Sequence, residues 1–160
     1  MPPLAVSWAI VSALDAQNHQ AREARASEER DIRREAYLGY LEHATAYRYA
    51  TSDLLDAIAE AGDADLPDPT AAFQRWLNAR ADFQDSVNSV YVYGSDEAWQ
   101  RHRVVARTLP YSVGYINQSQ LVDDLSKFRD EVQAFGAAYN DFLELMCEEL
   151  PATPRDGCEP

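Results

Sequence analysis

The sequence predicts an all-α fold, a four-helix bundle with a long projecting N-terminal helix, and three observations lead there. From Leu4 to Ala61 there is no proline and a single glycine, Gly39. Alanine, leucine, glutamate and arginine, which lose little on entering a helix, dominate that stretch. Apolar residues then recur at spacings of three and four through three further segments, the period of a helix buried on one face. Only Val90-Tyr91-Val92-Tyr93 has strand character, and a lone four-residue strand has nothing to pair with. We read it as a helix end. The chain has 160 residues, 46% of them apolar, enough for one domain with its own core and no metal or disulfide.

The first helix is expected over about residues 4–61. Pro2 and Pro3 stand where a first turn tolerates proline, and Gly62 stands just past the end, where glycine terminates helices. Its three zones differ in character. Residues 4–14 are apolar on every face and uncharged, and they include Leu4, Val6, Trp8, Ile10, Val11 and Leu14. Residues 19–35 are almost wholly polar, with Ile32 their one larger apolar side chain. Pairs Glu29–Arg33 and Asp31–Arg34 would support that zone at helical spacing. An amphipathic stripe then begins at Ala36 and runs through Tyr37, Leu41, Ala44, Thr51, Leu54, Leu55 and Ile58. The bundle core is expected to start there.

Gly62–Asp68 reads as a loop, and Asp68-Pro69 opens a second helix, about 69–93. Its apolar face would carry Phe73, Trp76, Leu77, Ala79 or Arg80, Phe83, Val87, Val90 and Tyr91. Gly94 stops it, and Ser95 caps a third helix, about 96–109, with Asp96 and Glu97 in its first turn. Its inward residues are Ala98, Trp99, His102, Val105, Ala106 and Leu109. Helices two and three should form one kinked column. After a loop at 110–119 the last helix, about 119–150, carries Leu121, Val122, Leu125, Phe128, Val132, Phe135, Ala138 or Tyr139, Phe142, Leu143 and Met146, and Pro151 ends it. The domain plan is therefore an arm at 1–30, a bundle at 31–150 and a disordered tail at 151–160.

The net charge is −13, with thirteen arginines and one lysine, Lys127. An acidic surface disfavours general attraction to nucleic-acid phosphates or anionic lipid, so no direct nucleic-acid binding is expected. Asp53, Asp56, Glu60, Asp63, Asp65 and Asp68 form an acidic run without a base, a solvated helix end in the simplest reading and a DNA imitation in the boldest.

No motif carries catalysis. The three histidines, His19, His43 and His102, stand in no Glu-x-x-His pair, so a carboxylate-bridged di-metal bundle lacks its ligands. No glycine-flanked serine or phosphate-cradling glycine loop occurs. Of the two cysteines, Cys147 is expected to be a small buried hydrophobe, with acidic neighbours opposing a thiolate, and Cys158 lies in the tail. No disulfide framework is legible. We expect no enzyme activity, cofactor or metal. The nine tyrosines suit half-buried rings whose hydroxyls reach water, or alternatively an interface rich in anchoring rings.

Arg33-Arg34-Glu35-Ala36-Tyr37-Leu38-Gly39-Tyr40-Leu41 resembles the opening of uncharacterised all-helical proteins of actinobacteria, in which an arginine-rich helix leads into Ala-Tyr-x-x-(Phe/Tyr)-Leu. Val90 to Glu97 and Phe135 to Leu143 are similar to their second landmark and their closing helix. The resemblance spans about residues 30–150 and implies a helical fold without an assigned activity. Some of those proteins carry an N-terminal membrane helix, whereas the apolar zone here is eleven residues long, and a bilayer needs about 20.

A helix apolar all round must cover its surface. The expected function is therefore non-enzymatic: an interaction or assembly protein whose arm docks through Leu4, Val6, Trp8, Ile10, Val11 and Leu14 onto copies of itself or another protein. The alternative is a membrane-associated protein held by residues 4–14, as a peripheral helix or as the inner end of a longer span. The expected location is cytoplasmic, at most peripheral to the membrane.

Overall fold

The computed structural model describes the backbone of residues 4–61, 70–108 and 118–150, and the side chains of residues 15–59, 71–108 and 126–150. The described residues are helical almost throughout and include no strand. The helices are α1 (Leu4–Ala61), α2 (Thr70–Tyr93), α3 (Asp96–Thr108) and α4 (Gln118–Glu149). Every boundary lies within one residue of the sequence reading. The expected tail and the loops at 62–69 and 109–117 lie outside the described residues.

α1 is the spine of the bundle. α2 and α4 pack along its C-terminal half, and α3 packs chiefly on α4. The core begins where the stripe predicts: Ala36, Tyr37, Leu41, Ala44, Thr51, Leu54, Leu55 and Ile58 are all buried. Opposite them lie Trp76, Phe83 and Val90 of α2, Ala98 and Val105 of α3, and Phe128, Phe135, Phe142 and Met146 of α4.

Tyr37 is buried as the stripe predicts, and Tyr40 and Tyr47, which the stripe left out, join it. Tyr37, Tyr40 and Tyr47 are fully buried, not half-buried at the margin. They sit in an aromatic column that follows α1. Phe73 stacks on Trp76 at 5.8 Å, Tyr47 lies 6.1 Å from Trp76 and 5.9 Å from Phe83, and Tyr40 lies 5.2 Å from Phe83 and 4.5 Å from Phe142. Tyr37 closes the column edge-on to Phe142 at 5.5 Å. Ring pairs in such offset and edge geometries contribute roughly 0.5–1.5 kcal/mol each beyond burial. By contrast Tyr91, placed on the inner face of α2 by its spacing, is 67% exposed. It covers Trp99 edge-on at 5.0 Å, from outside the core.

Two further expectations are corrected. Arg33 does not pair with Glu29. It reaches Glu149 at 3.8 Å and donates from Nε to the Tyr93 carbonyl at 3.3 Å. A long-range carboxylate beside a bound backbone oxygen offers it two contacts where a solvated i,i+4 partner offers one. Asp31–Arg34 forms at 3.3 Å. Cys147 is disulfide-bonded and not a free buried thiol. The only other cysteine in the sequence is Cys158.

Candidate functional site

α1 extends far beyond the body it anchors. Its 58 residues span about 87 Å at 1.5 Å per residue. Every side chain from Asp15 to Ile32 is exposed, and burial begins only at Ala36. The side chains of Leu4, Val6, Trp8, Ile10, Val11 and Leu14 lie outside the described residues. Their backbone continues the same helix. Helicity along Asp15–Ile32 draws on good helix formers and short-range pairs such as His19–Glu23 at 3.3 Å. Tertiary burial contributes nothing to it.

The base of the arm is held by a polar knot that joins α1, α4 and the α2–α3 junction. Ser95 caps α3, its Oγ accepting the Ala98 N–H at 3.0 Å. The same hydroxyl donates to Glu149 Oε1. Tyr37 donates to Glu149 Oε2 at 2.7 Å and accepts the Ser95 N–H at 3.0 Å. Arg33 approaches that carboxylate from the arm side. Glu149 thus sits near the N-terminus of α3, where helix dipole and free N–H groups favour an anion. Burial pushes the Tyr37 hydroxyl above its ordinary pKa. The hydrogen bonds from Ser95 oppose that rise and Glu149 adds to it. Every polar group in the knot has a partner, so it works as a structural clasp. Sequence reading found the Ser95 cap. It missed Glu149, whose partners lie 54 and 112 residues away.

Behind the clasp, His102 is buried among Tyr40, Phe83 and Trp99, with ring centroids at 5.6, 6.4 and 5.0 Å. Its Nδ1 lies 3.1 Å from the Tyr40 hydroxyl. Desolvation lowers its pKa, so the neutral ring is the folded form. Between the lowered pKa and the ordinary value near 6.5 the unfolded chain binds more protons. Stability should therefore be whole above about pH 6.5 and fall as pH drops toward the lowered value. Urea midpoints between pH 7.5 and 5 should show this slope, and His102→Gln should flatten it. An unchanged slope in the variant would place the acid sensitivity elsewhere.

An open groove of about 360 Å³ runs between α1 and α2 beside the arm's base. Glu35, Ala36, Gly39, Tyr40 and His43 line one wall, and Asp82, Asp85, Ser86 and Ser89 line the other. Small residues open it and carboxylates charge it. The Ser86 hydroxyl is turned away, donating to the Phe83 carbonyl at 2.7 Å.

Among the described residues no group of three or more His, Cys, Asp or Glu side chains could hold a metal ion, and no helix is long and apolar enough to cross a membrane. Among the described residues, Ile32, Leu38, Tyr49, Tyr91, Val92, Tyr93 and Val104 are the large apolar side chains left exposed. No family model, curated protein or solved structure matches this chain.

Proposed function

We propose that the protein is a non-enzymatic assembly module, which associates with copies of itself through the N-terminal half of α1. One observation carries this reading. A continuous helix leaves the bundle with all its side chains exposed from Asp15 to Ile32, and at its far end stands a stretch apolar on every face. A helix with no tertiary neighbour gains its stability by finding one, and Leu4, Val6, Trp8, Ile10, Val11 and Leu14 are the side chains to be covered. Burying several hundred Å² per copy would contribute several kcal/mol at about 25 cal/mol per Å², before the cost of association.

The test is molar mass by light scattering for the full chain and for Trp8→Asp with Val11→Asp. The native chain should be a dimer or larger and the variant a monomer, with the thermal melting of the bundle unchanged. A variant that unfolds the bundle would place the arm in its own core, and a monomeric native chain would refute self-association.

The second reading is attachment of residues 4–14, apolar on every face, to a membrane surface. Cys147 is disulfide-bonded, and disulfides persist better in an oxidising compartment than in the cytoplasm. Flotation of the monomeric chain with phosphatidylcholine vesicles would select this reading over self-association. The resemblance to uncharacterised actinobacterial helical proteins fits either reading and adds no activity to them.

A further inference from the structure

The last turn of α4 carries the carboxylate on which the clasp depends, and little in its own sequence holds that turn closed. It reads Met146-Cys147-Glu148-Glu149, without a basic residue. Its two acids stand at the helix end where the dipole favours cations. Leu150 and Pro151 follow, in place of the glycine that commonly closes a helix. The final bond runs from the Leu150 N–H to the Met146 carbonyl at 3.0 Å. A helix end built this way opens readily. Yet the Glu149 side chain is only 18% exposed, and it meets Tyr37, Ser95 and Arg33 together.

Two features oppose the opening. Leu145, Met146 and Leu150 are buried, which anchors one face of the turn. Cys147 lies among them, half-buried, with its sulfur in a disulfide. Among the described residues no cysteine is free, and Cys158 is the only other cysteine of the sequence. The bond therefore closes a ring over residues 147–158, and Glu149 lies inside it. A cross-link that starts at Cys147 denies the opened turn many of the conformations it would otherwise enter.

We propose that this disulfide is a redox-controlled fastener of the clasp. Oxidised, it holds the last turn of α4 and keeps Glu149 on Tyr37 and Ser95. Reduced, it lets the turn open and Glu149 leave. The carboxylate then exchanges its partners for water, and Arg33 keeps only the Tyr93 carbonyl. The bundle loosens at the root of the arm, while its middle stays packed around Tyr40, Tyr47, Phe83 and Phe142. A dithiol carries out the step by exchange: Cys147 and Cys158 take up two electrons and two protons as thiols, and the reductant leaves as its own disulfide. The device goes beyond the assembly reading and acts whatever the arm contacts.

Amide hydrogen exchange on the full chain, before and after excess dithiothreitol, tests this. The Leu150 N–H reports on the turn, and the Ser95 N–H, which donates to Tyr37 at 3.0 Å, reports on the clasp. Both should exchange at least about tenfold faster in the reduced chain, at rates indifferent to low urea, as local opening requires. Cys158→Ser, a change outside the core, should match the reduced chain without reductant and respond no further to it. In Glu149→Gln the Ser95 amide should exchange fast in both redox states, because the carboxylate that secures Tyr37 is gone. Unchanged protection of Ser95 in both the reduced chain and Cys158→Ser would overturn the proposal. So would Ser95 rates that climb with urea as those of the core do, since the disulfide would then act only on the globally unfolded chain.

Discussion

Phe142→Ala is expected to remove about 3–5 kcal/mol of stability, one of the largest losses any single substitution in this bundle should produce. Phe142 is fully buried on α4 and touches both ends of the upper aromatic column: Tyr40 at 4.5 Å and Tyr37 at 5.5 Å. Truncating it removes its own transfer energy and leaves a cavity between α1 and α4. Tyr40 and Tyr37 cannot move in to close that cavity, because their hydroxyls are engaged with His102 and with the Ser95–Glu149 knot. A domain of this size has roughly 5–15 kcal/mol to lose, so the variant should be partly unfolded at physiological temperature. Urea denaturation against Leu38→Ala, at a site 47% exposed, supplies the comparison. The surface variant should change stability by less than about 0.5 kcal/mol. Similar midpoints for the two would show that the aromatic column does not carry the bundle.

The second large effect concerns one substitution at two glycines, with opposite signs. Gly94 closes α2, its N–H donating to the Val90 carbonyl at 2.9 Å. A methyl group added there would overlap that carbonyl oxygen and stand 3.2 Å from a ring carbon of Tyr37. The constraint is close approach of backbone and ring, so relief requires moving the junction itself. Ser95 would move with it and loosen both the α3 cap and its hydrogen bonds to Tyr37 and Glu149. Gly94→Ala should therefore cost about 1–3 kcal/mol. At Gly39 an added methyl meets nothing within 4 Å inside a continuous helix. There the same change should stabilise the folded chain by about 0.5–1 kcal/mol through reduced freedom of the unfolded state. Thermal unfolding of both variants under identical conditions checks the pair. A destabilised Gly39→Ala would mean that the groove wall is closed in solution.

The elements were legible because their signals are local. Breakers at Gly62, Pro69, Gly94 and Pro151 punctuate four stretches whose apolar period is helical, and the α3 cap shows in Ser95-Asp96-Glu97. The split among the tyrosines was not legible. Tyr37, Tyr40 and Tyr47 are buried, while Tyr49, Tyr91 and Tyr93 are at least half exposed. A tyrosine is apolar along its body and polar at its tip, so composition admits both sites. Partners across the fold were hidden for a different reason. Arg33 had an acceptable local partner in Glu29, and nothing local announced that Glu149 would replace it.

The sequence alone determined the helix count and boundaries, the onset of the core at Ala36, and the contrast between a charged arm and its apolar end. These follow from propensity, capping and periodicity, which act over a few residues. Only the tertiary structure decided which rings are buried, that Glu149 binds Tyr37, Ser95 and Arg33 together, and that Glu35 and Gly39 face Asp82 and Asp85 across a groove. Those contacts join residues far apart in the chain. They exist only once burial has set α1, α2, α3 and α4 against one another, since packing selects among partners that the local sequence leaves equivalent.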